Sequence, residues 1–174
     1  HRGGDVASRL AVERILAYAE GLDPLTELRA GFEAANRSIR EHAQANADCD
    51  GMGTTVAALI MTPDRAHLAH IGDSRIYRLR GREMAPLTRD HSLVEELVRQ
   101  GSLSVEEARS HPQRNVVTRA LGTTDAPRIE YAEVDLEAGD LFLLCTDGLT
   151  SEATDEEIAA VLAGPGDPQF KADR

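Results

Sequence analysis

The chain has 174 residues, 41% of them hydrophobic and 28% charged, a single domain's length with an ordinary globular balance, which excludes a peptide and a disordered segment. Lys and Arg number 19 against 30 Asp and Glu, a net charge of −11, and the basic residues do not cluster, so nucleic acid is not an expected partner. No apolar run approaches the roughly 20 residues of a membrane-spanning helix and the N-terminus is not a secretory signal, so no membrane partner is expected and the chain reads as soluble.

Two helices are predicted first. From Asp5, the residues Val6, Leu10, Ile15 and Leu16 recur at helical spacing. After the Asp23-Pro24 start signal, Leu25, Leu28, Phe32, Ala35 and Ile39 do the same, and both helices require a flat partner. Residues 54–61 form a continuous run of β-formers and small apolar residues, Pro63-Asp64 makes a turn, and residues 66–71 and 75–79 continue as strands. Gly81 closes a hairpin into a short strand at 84–87, which completes an expected antiparallel meander. A helical excursion follows: a helix at 92–100 stopped by Gly101, a second opened by the Ser104/Glu107 capping box and ended by Pro112, and a third pattern at 115–121. Strands return at 129–136 and 141–145, joined by a turn containing Gly139, and Thr154 with Glu157 is a further capping box.

Two of these strands end alike. Ala69-His70-Ile71-Gly72-Asp73 and Leu143-Leu144-Cys145-Thr146-Asp147-Gly148 each run from apolar residues into a carboxylate with a glycine beside it. A carboxylate at the end of a buried strand is costly unless it is hydrogen-bonded, paired or bound to a cation. One such aspartate reads as a turn or capping residue; two favour a shared, oxygen-lined site for a hard divalent ion. Ser74 and Arg75 read as fixing the turn that presents Asp73. His67 and His70, three apart on a strand, point to opposite faces and cannot share a metal. No HExxH or Cys/His pattern supports zinc. Cys49 and Cys145 lack CxxC spacing and suit free thiols in a reducing cytoplasm.

GMGTT at 51–55, GDSR at 72–75, HPQR at 111–114 and TDGL at 146–149 together resemble the bacterial branch of the metal-dependent PPM phosphatases, the phosphatase 2C group. The opening residues 1–8 resemble the segment that follows that family's DGMGG metal motif. The resemblance covers nearly the whole chain. It implies an α+β fold, an α-β-β-α sandwich of two antiparallel sheets flanked by helices, with residues 88–121 as a small flap beside the active site. It further implies hydrolysis of phosphoserine and phosphothreonine in proteins, opposing Ser/Thr kinases, by a water activated by two or three Mn²⁺ or Mg²⁺ ions.

Under this resemblance Asp147 ligates the metal centre directly and Asp73 shares a third, weaker site with it. Asn115 falls near that third ion in some relatives. Arg114 is a candidate substrate contact, with His111 shaping the flap, and His1 is a candidate proton donor to the leaving group. Asp50 precedes a Gly-Met-Gly that imitates the metal motif; its position before Thr54-Thr55 assigns those glycines to close packing, and Asp50 is kept as an alternative ligand. The family's Glu-Asp pair, its phosphate-binding arginine and its last metal aspartate have no counterpart in the chain, which implies a single truncated domain over 1–174. The rival reading is a non-catalytic PPM-like module that binds a phosphoprotein or a regulatory partner.

Overall fold

The computed structural model describes residues 3–19, 21 and 23–173. Helices α1 (Gly4–Leu16) and α2 (Pro24–Ala45) form one layer. The start of α2 is set locally: the Asp23 carboxylate accepts the Thr26 N–H at 2.9 Å, and Pro24 in the first turn has no N–H to waste. Leu28, Phe32, Ala35 and Ile39 make one buried stripe along α2. The helix α1 buries Ala7 and Ala11, while Leu16, assigned from its spacing to the packed face, is 66% exposed. Small residues are favoured because the helices touch closely: a Cβ on Gly31 of α2 would lie 3.0 Å from the Ile15 Cα of α1.

The strands are β1 (Val56–Met61), β2 (Arg65–Ile71), β3 (Arg75–Arg80), β4 (Glu83–Pro86), β5 (Glu130–Asp135) and β6 (Leu141–Cys145). They form two antiparallel three-stranded sheets, in the orders β1-β2-β5 and β4-β3-β6. The single meander expected over residues 54–87 is therefore cut in two. After Ile71 the chain leaves the first sheet through Gly72, whose φ of +109° and lack of a Cβ permit the crossing, since a Cβ there would meet Thr55 Cγ2 at 2.3 Å. The local pattern of alternation is the same whether the next strand pairs with β2 or leaves for another sheet, which is why the sequence did not separate the cases.

Ala69 and Ile71 of β2 face the helices and join Phe32, Ile39, Met52 and Leu121 in one core. Ala66, Leu68 and His70 lie on the opposite face and are buried too, so the first sheet is covered on both sides, as a sandwich requires. On the second sheet sit α5 (Asp147–Thr150) and α6 (Asp155–Ala163), with Ile158 of α6 buried; α7 (Pro168–Ala172) follows.

Between β4 and β5 lie α3 (Leu93–Arg99) and α4 (Val105–Ser110), the latter opened by the reciprocal Ser104–Glu107 capping box. The third helix expected at 115–121 does not form. The backbone of this β-branched stretch pairs instead with distant segments: Val117 bridges Ser92, and Leu121 bridges Thr54 with bonds of 2.9 and 3.1 Å. No helix among the described residues is long and apolar enough to cross a membrane.

Candidate metal centre

Strand pairing explains how two distant aspartates meet. In the β3–β6 ladder Arg75 lies opposite Cys145 and Ile76 opposite Leu144. Continuing that register two residues beyond the last pair sets Asp73 across from Asp147, both overhanging the same end of the second sheet. The two aspartates line one cleft of about 420 Å³, together with Arg75, Asp90, Arg114 and Asn115.

The electrostatics of the pair are those of an uncompensated acidic site. Burial, and then the negative charge of Asp147, push the Asp73 carboxyl above its ordinary value. A capping aspartate shows the reverse: hydrogen bonds from Thr26 hold Asp23 below its ordinary value. The cation nearest in sequence relieves Asp73 only weakly, because Arg75 is committed to a bidentate pair with Asp90, with both bonds at 2.7 Å. A half-buried carboxylate facing a second carboxylate at an open cleft, with no ion-pair partner among the described residues, fits the oxygen-ligand chemistry of a hard divalent ion.

The turn bearing Asp73 is held from several directions. Thr55 Oγ1 and Ser74 Oγ share a hydrogen bond of 2.9 Å. The Arg75 guanidinium donates to Tyr77 Oη at 2.9 Å, and Tyr77, itself fully buried, donates to Asp155 Oδ1 at 3.0 Å. Burial pushes the Tyr77 hydroxyl up to about 12, so it remains a donor at neutral pH. Asp155 therefore does more than charge the start of α6: it anchors the far end of the Asp90–Arg75–Tyr77 chain.

The remaining candidates are spread unevenly. Arg114 and Asn115 reach the cleft wall in an exposed loop whose shape His111 sets, its Nδ1 accepting the Gln113 N–H at 3.2 Å and its carbonyl the Arg114 N–H at 3.1 Å. Asp50 is exposed in the turn before β1 and does not line the cleft. His1 lies outside the described residues. His67 faces Glu133, with Nδ1 and Oε1 3.4 Å apart, whereas His70 stacks on His91 at 4.6 Å between ring centres, so the two strand histidines serve different faces. Asp90 and His91 escaped sequence reasoning; the available signal was an acid and an imidazole immediately before the Ser92 cap of α3.

A family model described as "Protein phosphatase 2C" matches residues 1–170. The chain is 38% identical over 182 aligned residues to the serine/threonine phosphatase stp of Listeria monocytogenes, covering 99% of this chain and 71% of that protein. Its structure is similar to that of the serine/threonine phosphatase Stp1 of Staphylococcus aureus, with a TM-score of 0.94 and 34% identity over 99% of this chain and 70% of the other. It is also similar to the catalytic domain of the serine/threonine protein phosphatase PstP in complex with two manganese ions, with a TM-score of 0.84 and 35% identity over 95% and 70% of the two chains.

Proposed function

The chain belongs to the protein phosphatase 2C family, whose members are metal-dependent protein Ser/Thr phosphatases, and from that premise we propose that Asp147 and Asp73 hold its catalytic cations. The observation that carries this reading is the β3–β6 register, which supports an opposed pair of acids at one end of the sheet. The bound ions, Mn²⁺ or Mg²⁺ and two or three in number, supply an activated water and offset charge on the phosphoryl oxygens. Asp147, exposed on the cleft, would hold the metal centre directly, and Asp73, with Asn115 nearby, would help hold a weaker ion.

The other residues act on the substrate or on the frame. Arg114, on the exposed wall, meets the phosphorylated segment of a protein substrate as a bidentate donor. Residues 88–121 serve as a flap beside the cleft, the place where selectivity among phosphoproteins resides. His1 donates a proton to the leaving hydroxyl. Asp50 stays a structural turn residue. The substrates are proteins phosphorylated on Ser or Thr by kinases that this enzyme opposes. A cytoplasmic location goes with this reading, supported by the free Cys49 and Cys145. The non-catalytic alternative is not favoured, because the relatives are named phosphatases.

The test is turnover of a phosphothreonine peptide by the full-length protein during a Mn²⁺ titration. Asp147→Asn is expected to lose at least about 100-fold in kcat/KM at every Mn²⁺ concentration. Asp73→Asn is expected to shift the Mn²⁺ requirement upward by about tenfold. Wild-type Mn²⁺ dependence in both variants would refute the ligand assignment.

A further inference from the structure

We propose that His91 is a positioning residue for the metal centre, its Nδ1 holding the N–H of Gly72, the residue before Asp73, and thereby setting where that carboxylate points. The inference rests on the assignment of Asp73 as a cation ligand and deepens it. His91 is 3% exposed and sits in the segment between β4 and α3. It takes both backbone polar groups of Gly72: its N–H donates to the Gly72 carbonyl at 2.8 Å, and its Nδ1 accepts the Gly72 N–H at 3.0 Å.

That double contact falls where the sheet has stopped providing one. Ile71 is the last residue of β2 paired to β1, so the Gly72 amide lies beyond the ladder and would be buried without a partner. Gly72 has a left-handed φ of +109°, so its peptide groups turn away from the ladder and toward His91. Asp90, the residue before His91, grips Arg75. The dipeptide Asp90-His91 thus brackets Asp73 and Ser74 from both sides.

The tautomer follows from the acceptor role. With Nδ1 accepting, Nε2 of the neutral ring carries the proton, and it lies 3.1 Å from Glu130 Oε1 on β5. Against the cost of burial, His91 and then Arg119, whose Nη1 is 3.3 Å away, hold the Glu130 carboxyl below its ordinary value, so it faces that nitrogen as an anion. His91 also accepts the Thr118 N–H at its carbonyl at 2.8 Å, so the wall that carries Arg114 and Asn115 is tied to the same residue.

A competing use of these groups is a buried cation site, since ligand atoms of His70, His91 and Glu130 lie within 4.8 Å of one another. The hydrogen bonding opposes it. A cation on His91 Nε2 would leave the ring proton on Nδ1, pointing at the Gly72 N–H 3.0 Å away, donor against donor.

The experiment compares His91→Asn, His91→Gln and His91→Ala in the full-length protein, reading the half-saturating Mn²⁺ and the peptide KM separately. An asparagine side chain presents its carbonyl oxygen near the position of Nδ1, whereas glutamine reaches toward the position of Nε2. His91→Ala and His91→Gln are expected to raise half-saturating Mn²⁺ about tenfold with little change in peptide KM, and His91→Asn to restore it to within about threefold. Thermal unfolding of each variant separates misfolding from mispositioning; if His91→Ala does not fold, the Asn/Gln pair decides. Equal behaviour of Asn and Gln, or wild-type Mn²⁺ dependence in all folded variants, would overturn the inference. Asp73→Asn in the same titration distinguishes the failures: a shifted Mn²⁺ curve there with no His91 effect sinks only the inference, while no shift sinks both. Stoichiometric Zn²⁺ in the purified wild type, lost in His70→Gln, would make the cluster a metal site and also overturn it.

Discussion

His70 shows how a single buried side chain makes the fold sensitive to acid. Its ring is 2% exposed and tilted against His91, and neither ring nitrogen meets hydrogen-bond geometry with any of the described residues. Burial, and then the neighbouring His91, lower its pKa from 6.5 to about 4. The folded state therefore holds His70 neutral, while the unfolded chain takes up a proton near pH 6.5. The stability contributed by this group is complete above pH 6.5 and is lost as pH falls from there toward 4. The expected loss is up to roughly 3 kcal/mol, measurable by urea unfolding between pH 7 and pH 4; His70→Asn should flatten that slope. Nothing in the string Leu68-Ala69-His70 distinguishes such a histidine from an exposed one, because its partner ring arrives from beyond β4.

Among the elements, α2 does two jobs, and only one is written in its periodicity. Its apolar stripe was readable from the spacing of Leu28, Phe32, Ala35 and Ile39. Its polar contact was not: Asn36, 4% exposed, accepts the Gly122 N–H at 2.7 Å and donates to the Thr124 and Asp125 carbonyls at 3.0 and 3.3 Å. One side-chain amide thus satisfies the loop that leads into β5. Asn36→Ala should cost about 1–3 kcal/mol, since it removes three part-buried hydrogen bonds and leaves the Gly122 N–H without its acceptor, and hydrogen exchange at Gly122 should speed up. The stretch 115–121 teaches the converse lesson. Its spacing suggested a helix, but Val117 and Leu121 are claimed by bridges to Ser92 and Thr54, and non-local backbone partners outweigh a weak local preference.

At the scale of the whole molecule, the sandwich places its helical layer, first sheet and second sheet so that the cleft opens at the sheet end shared by β3 and β6. Stability and chemistry should therefore be separable. Phe32→Ala, in the core and away from the cleft, is expected to cost about 3–5 kcal/mol by chemical unfolding, with the Mn²⁺ requirement of the remaining folded protein unchanged. The first two helices, the two short helices between β4 and β5, the strands, the capping residues and the family-like motifs were legible in the sequence, because each is a local pattern of period, turn chemistry or short-range spacing. That Asp73 and Asp147 each terminate an apolar strand was legible as well. Their meeting was decided by tertiary structure alone. It depends on β3 abandoning β2 at Gly72 and pairing with β6 far along the chain, and on His91 and Asp90 closing around the turn from a third segment. Pairing between distant strands is selected by the packing of the complete core, and no local run of residues carries that information.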